Sequence, residues 1–520
     1  MYDYEHQNIV DSIKTIETKF AVHELVYKDI EIWPLVKADF NIQLIRNSYP
    51  SNDELTIETK NTLKKRIGNI ILAYQNYRDL KTKHELLPLK LKELKLALSN
   101  KKNNNLFLTF TSFRNQKINE RYFNVQSDSF LCSLRKPHKL TTIEFTQNNN
   151  NNSPYYSESI NLDVLRDLAE IKCAKDKLIK YCKALLLKSK TNRGKALKKE
   201  EFNNFIKKEK LALKYNIDDY IFELKMIIKL KEIYTEYLSP IQPKFIATPV
   251  YFAHESFAAT LFCKEQKIPS IEIQHGAYSQ PIYEFHCEIP KNNFKILPDF
   301  YLSWDQNQAD IINNWSNKSI GKKAHVLGIT PLKFWLKNSD QFTNENLKNI
   351  EPLLSNHELI HVLYTISDTF DEKIPNMIAQ TKGKVFWYLR NHPRALELNA
   401  PFVSELIDNL NKNKCTNYDM VNSTKAPLYS LLNKVDYHLT SISSVVCEAK
   451  ELGIKSIVIN SSGVQLYKDI YPNHAYILFE TQADKIVKII SDKPQLKRIN
   501  PSINSLYFED LFHQITSENN

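Results

Sequence analysis

KVFWYLRNHPRALELN (384–399) and VDYHLTSISSVVCEAKELGIKSIVIN (435–460) share one pattern. In each, a β-branched and aromatic run stops at a polar loop and restarts as a helix. That grammar predicts a parallel α/β sheet, and such sheets bind ligands at the carboxyl ends of their strands. Here those ends carry Arg390, His392 and Arg394, then Thr440, Ser441, Ser443 and Ser444. Pro393 cannot donate a hydrogen bond and biases the residue before it toward extended geometry, so the strand is expected to end at His392. Ser443 is a good helix N-cap, which accounts for one serine but not for four hydroxyls within 440–444. Cations at one strand end, with hydroxyls and a helix N-terminus at another, suit the phosphate of a nucleotide. Glu448 lies one turn further on. It is either a ribose-hydroxyl acceptor or an exposed helix acid.

The same alternation of strand and helix extends outward. It runs from 244 to 330 and again from 358 to 492, which argues for two Rossmann-like α/β domains facing a cleft. The segment 330–357, with Pro331, Pro352 and many polar residues, reads as the connection between them. Helical periodicity dominates 1–100 and 160–237. The expected division is a helical region at 1–100, a first α/β domain at 101–335 with a basic helical insertion, a second at 336–505, and a terminal helix at 506–520. QNNNNNSP (147–154) reads as a low-complexity loop.

In the first half, IPSIEIQHG (268–276) is a buried strand ending at Gln274, His275 and Gly276. Glycine there permits a sharp turn or a close approach to a ligand. His275 is suited to general-base work at neutral pH, or is a satisfied core histidine. Glu272 shares a face with Gln274 rather than with His275. LFLTFTS (106–112) is a second strand, with Ser112 and Arg114 at its end. Asp128, His254 and Glu255 are weaker polar candidates.

Composition bounds the function. The 520-residue chain carries a net charge of +11. Residues 172–210 hold fourteen Lys and Arg against four acids, a local net of +10. This segment is a solvated helical face or a contact with anionic lipid headgroups. No aromatic interleaving supports nucleic acid. The seven cysteines have no C-x-x-C spacing and read as reduced, mostly buried thiols. No apolar run reaches membrane-spanning length and the N-terminus lacks signal-peptide features, so a cytoplasmic location is expected, peripheral at the inner membrane. No P-loop, dinucleotide, serine-hydrolase or zinc motif occurs, and neither a metal nor a cofactor is expected.

IPSIEIQHG, the HP of RNHPR and SISSVVCEAKELGIKSIVI together resemble bacterial surface-polysaccharide glycosyltransferases of GT-B type, among them sialyltransferases and Kdo-transferase-like enzymes. The resemblance implies an acceptor-binding first domain and a nucleotide-sugar-binding second domain. It implies that His392 and Ser443/Ser444 hold the CMP part of a CMP-sugar. The acidic pair followed by glycine that supplies the base in those enzymes does not occur here, so His275 or another acid is expected to serve. The QHG element is also similar to a loop of CDP-glycerol phosphotransferases. The expected activity is sugar transfer from a nucleotide-sugar to a lipopolysaccharide or capsule glycan. The alternatives are a glycerophosphate transferase, a sugar-nucleotide epimerase, and a non-catalytic polysaccharide assembly protein.

Overall fold

A computed structural model describes residues 2–46, 63–118, 121–147, 154–155, 159–186, 198–209, 216–278, 280–342, 345–366, 370–392, 400–494, 498–499 and 507–518. Arg394 and most of the QNNNNNSP tract lie outside these residues.

Two parallel sheets organise the chain. The first contains β1 (Asn105–Phe110), β2 (Leu140–Phe145), β3 (Ile160–Asn161), β4 (Ile246–Thr248), β5 (Ser270–Ile273), β6 (Phe300–Ser303) and β7 (Ala324–Val326). Its spatial order is β7-β6-β5-β4-β1-β2-β3. The second contains β8 (Ile360–Ile366), β9 (Val385–Asn391), β10 (Tyr418–Asp419), β11 (Tyr437–Thr440), β12 (Lys455–Val458) and β13 (Ile477–Phe479), in the order β10-β9-β8-β11-β12-β13. Every pairing in both sheets is parallel. Both orders reverse beside the first strand, as in doubly wound sheets. The reversal falls between β1 and β4 in one sheet and between β8 and β11 in the other. Their strands are apolar along nearly their whole length because helices cover both faces; all seven residues of β8 are buried.

The strands read from the sequence at 106–112, 244–326 and 358–479 are present. Three strands of these two sheets were missed, β2, β3 and β10, as were two antiparallel pairs outside them, Val26–Tyr27 with Ile30–Glu31 and Arg114–Ile118 with Arg121–Asn124. β3 and β10 are two residues each, too short to show a period, and β2 is flanked by a basic turn and the asparagine tract. The 330–357 connection is not an irregular linker. It forms helices Thr330–Asn338 and Glu345–Leu354. Pro331 sits in the first turn of the former, where its missing N–H costs nothing.

Helices α1 (Tyr2–Lys19), α2 (Trp33–Arg46), α3 (Leu63–Lys83), α4 (Leu87–Ser99), α5 (Asp163–Leu186), α6 (Lys199–Lys208) and α7 (Ile217–Leu238) are stacked on the first sheet's side of the molecule. A buried ion pair anchors α1 and α2: Lys37 Nζ lies 2.7 Å from Glu17 Oε1, which also accepts from Trp33 Nε1 at 2.7 Å. Glu17 Oε2 accepts from the backbone N–H of His286 at 2.8 Å, so the pair also fixes the loop after β5. The terminal helix, Phe508–Glu518, packs on the first sheet through Phe508, Leu511 and Ile515 against Phe107, Phe130 and Phe245. Among the described residues no helix is long and apolar enough to cross a membrane. None of the seven cysteines forms a disulfide; Cys263 and Cys447 are buried and the other five are half-buried, a wetter distribution than expected.

One glycine fixes the loop at the second reversal point. The helix after β12, Ser461–Ile470, starts over the Ser441 carbonyl, and a Cβ on Gly463 would collide with that oxygen. Tyr467 of the same helix donates to the Ile442 carbonyl at 3.2 Å. Gly463→Ala is therefore expected to destabilise the protein by about 2 kcal/mol or more, because backbone must move. Chemical denaturation measures this; an unchanged midpoint would show that the helix start yields freely.

Candidate functional site

At the β8–β11 reversal the hydroxyls divide into two sets. Thr440 is fully buried and structural: its Oγ1 donates to the Thr365 carbonyl at 2.9 Å and accepts from the Ser443 N–H at 3.0 Å. Ser441 is also buried. Ser443 and Ser444 are half-buried at the loop's rim. The helix that follows is Val445–Glu451, and its N-cap is Ser444 rather than the expected Ser443; Ser444 makes no side-chain capping bond. Ser443 Oγ accepts from the Val445 N–H at 3.4 Å. The helix ends at Gly453 in left-handed geometry, with Ile454 N–H reaching back to the Ala449 carbonyl at 2.9 Å.

The end of β9 is built differently from its reading as a row of cations. Arg390 Nη1 donates to the carbonyls of Ser423 and Ala426, both at 2.6 Å, so it closes the end of the short helix Val421–Lys425. Burial lowers its pKa to about 10 against the pull of Glu448. Glu448 is not an exposed helix acid. It is buried, accepts from Tyr429 Oη at 2.9 Å, and titrates near 7 because desolvation outweighs Tyr429 and Arg390. His392 is exposed one residue past β9, and its N–H is bonded to the Ile366 carbonyl at 3.0 Å, beside the reversal point.

In the first domain the QHG element follows β5. The alternation holds: Glu272 and Gln274 are buried and His275 is half-buried. Glu272 accepts from Tyr283 Oη at 2.8 Å, and its complete burial raises its pKa well above the carboxylate range. His275 stands between the rings of Phe113 and Phe252, with centroids at 6.1 and 6.2 Å. Gly276 has no positive φ, and nothing lies within 4 Å of where its Cβ would be. The backbone does not need a glycine there, so the sharp-turn reason fails and open space above the loop remains.

Gln274 is an interior residue. Its Oε1 accepts from the Trp304 N–H at 2.6 Å, and its Nε2 donates to the Gly276 carbonyl at 2.8 Å and to Gln308 Oε1 at 3.1 Å. Ser112 donates to Gln147 Oε1 at 2.8 Å. Arg114 is buried in an ion pair with Glu144 and donates to Ser159 Oγ at 2.6 Å, so its charge is committed inside the domain. Asp128, in the same buried knot, is raised to about 7 by desolvation against the Asn124 N–H and Arg114. His254 pairs with Glu223 at 3.5 Å, and Glu255 with Arg166 at 3.3 Å.

The structure adds residues that sequence reasoning missed. The helix Gln306–Ser316 follows β6 and is capped by Asp305. Its Gln308 is fully buried between the domains. Gln308 Oε1 accepts from Gln274 Nε2 and from the Tyr278 N–H at 2.8 Å. Gln308 Nε2 donates to Tyr471 Oη at 3.0 Å and to Cys447 Sγ at 3.4 Å. Tyr471 donates to Asp305 at 2.6 Å, and Lys450 meets the same carboxylate at 3.0 Å. Ala277 packs on the cluster containing Val445, Val446 and Cys447. The loop after β5 and the helix that follows the β11 loop are thereby held in one junction. Among the described residues no group of three His, Cys, Asp or Glu could hold a metal ion.

No family profile matches the sequence, and no curated protein sequence does. Solved structures with a similar arrangement include the S. aureus MnaA–UDP co-structure, with TM-score 0.44 and 13% identity, covering 80% of this chain and 96% of that one. UDP-GlcNAc 2-epimerase from Neisseria meningitidis bound to UDP-GlcNAc gives 0.42 at 11% identity over 80% and 100%. The wall teichoic acid polymerase TagF gives 0.43 at 13% over 88% and 100%. Likeness at this level carries no activity from one chain to another.

Two outcomes follow from the junction's chemistry. Gln308→Ala takes the acceptor from the buried Tyr278 N–H and one bond each from the Gln274 amide and the Tyr471 hydroxyl, and is expected to cost about 2 kcal/mol or more in urea unfolding. A loss within experimental error would mean that water replaces the amide. Glu448 titrates near 7 in the fold against an ordinary 4.5, so the folded state holds this proton more tightly. Its contribution is fully present below about pH 4.5 and is lost as pH rises through about 7. The stability of Glu448→Gln relative to the parent should therefore rise between about pH 5 and pH 8; a flat difference across that range contradicts the raised pKa.

Proposed function

We propose that the chain is a glycosyltransferase of GT-B architecture that moves a sugar from a nucleotide-activated donor to a lipopolysaccharide or capsule glycan. The observation that carries this reading is the junction itself: Gln308 ties the QHG loop of one doubly wound domain to Cys447, in the helix that follows the Ser441–Ser444 loop, and to Tyr471 of the other. Ligands of doubly wound sheets lie where the strand order reverses. Here the side chains left at the rim of that reversal are Ser443, Ser444 and His392, which suit a phosphate. Glu448, poised between acid and carboxylate, can accept from or donate to a ribose hydroxyl. In this reading Tyr429 positions the Glu448 carboxyl, while Gln274 orients the QHG loop that carries His275. His275 takes the acceptor proton.

The resemblance to sialyl-type motifs favours a cytidine donor. A glycolipid-borne acceptor would be met at an anionic membrane surface, for which residues 172–210 supply cationic charge.

His275→Ala is expected to lower kcat by about 10²- to 10⁴-fold with donor affinity kept; wild-type turnover would remove His275 from the mechanism. CMP or CDP should raise the Tm more than UDP or GDP, by an amount that follows RT ln(1 + [L]/Kd), about 2.7 kcal/mol at 100-fold saturation. The gain should shrink in His392→Ala and in Ser443→Ala/Ser444→Ala. A larger response to UDP or GDP would replace the cytidine donor and leave the class standing. No response to any nucleotide would favour the non-catalytic reading. Product analysis then separates sugar transfer from epimerisation and from glycerophosphate transfer.

A further inference from the structure

Helices α3 and α4 carry apolar side chains on their outer as well as their inner faces. The inward face of α3 holds Ile70, Ala73, Tyr77 and Leu80, while Ile71, Leu72 and Tyr74 are exposed as well; Leu72 is 65% exposed. α4 buries Leu87, Leu94 and Leu98 and exposes Leu89 and Leu96, the latter 68% exposed, with Leu86 exposed just before it. Soluble helices normally turn such residues inward, and a group of exposed aliphatic side chains marks a contact surface.

The charge around this surface states what the contact is. Residues 63–99 contain nine Lys and Arg and three acids, a net of +6. Residues 172–210 add +10, which together makes +16 against +11 for the whole chain, so everything else sums to −5. The fold brings part of the second segment beside the first: α3 and α4 both pack against α5, which ends at Leu186 and whose Lys175, Lys177 and Lys180 are exposed. A protein partner would need a surface both acidic and apolar. A bilayer containing acidic phospholipid offers both at once, phosphate at the headgroup level and hydrocarbon just beneath.

We propose that α3, α4 and α5 form one membrane-docking surface, in which α5 contacts anionic headgroups and Leu72, Leu89 and Leu96 with their neighbours enter the acyl boundary. This deepens the proposed use of a membrane-borne acceptor and rests on that reading only for its purpose. Vesicle binding is measured without nucleotide, so the two can fail separately. It also predicts a feature that charge alone does not give. Salt shortens the reach of the lysines to about 8 Å at physiological strength, yet it does not weaken an inserted leucine.

The test is co-sedimentation of the full chain with phosphatidylcholine vesicles, with and without phosphatidylglycerol, across a salt series. The parent is expected to prefer the anionic vesicles and to keep a salt-resistant bound fraction. Leu72→Ser/Leu89→Ser/Leu96→Ser changes only exposed positions, so its Tm should match the parent. Its partition coefficient should fall by about tenfold or more, and its salt-resistant fraction should vanish. Lys175→Ala/Lys177→Ala/Lys180→Ala should lose the preference for anionic vesicles. Parent-like binding by the leucine variant would overturn insertion. Equal binding of the parent to neutral and anionic vesicles would overturn the electrostatic half. If the parent ignored vesicles and the leucine variant instead broke up an oligomer on gel filtration, the surface would belong to a second copy of the chain.

Discussion

The saturated amide of Gln308 is the constraint on which the site depends. It is buried between two domains, and it uses its oxygen twice and its nitrogen twice. An unmade bond at such a place costs about 1–3 kcal/mol, so the amide acts as a gauge of interdomain geometry. Its own position comes from Asp305, which caps the helix on which Gln308 sits and also meets Tyr471 and Lys450 of the second domain. One strand end, that of β6, therefore sets the helix start, the placement of the QHG loop and the seating of the second domain.

The surroundings show how a parallel sheet divides its polar residues. Carboxyl ends of strands collect charged and hydroxyl side chains, but most serve the fold. Arg390 closes a short helix, Arg114 neutralises buried Glu144, Thr440 braces its own loop, and Gln274 is enclosed. His275, Ser443 and Ser444 are half-buried and His392 is exposed, each just past a strand end. Glu448 is buried against Tyr429, one turn into the helix after Ser444, and its burial converts an ordinary glutamate into a group that titrates near 7. Perturbed acids of this kind accompany functional sites as well as structural ion pairs; its neighbours Arg390 and Tyr429 allow both roles.

Much of the fold was legible in the sequence because strands buried on both faces must be continuous apolar runs. KVFWYLR, LIHVLYTI and KSIVI could be little else, and each lies where it was read. The 330–354 helices were not legible, since prolines in a polar segment signal a break, whereas Pro331 begins a helix. The site was legible only in part. His275, His392 and the serines follow from strand ends. Gln308 and Tyr471 do not, because a glutamine in QNQADIINNW looks solvent-facing until a second domain covers it. Side-chain commitment was equally invisible: nothing in RNHPR says that Arg390 spends its guanidinium on the carbonyls of Ser423 and Ala426.

The most direct test of the account is hydrogen–deuterium exchange with and without a cytidine nucleotide. If the two loops form one nucleotide-dependent junction, bound CMP should protect residues 441–447 strongly and residues 274–278 measurably, since Gln308 transmits the ordering of one loop to the other. Protection confined to either loop alone, or lying outside both, would contradict a single site shared by the two domains.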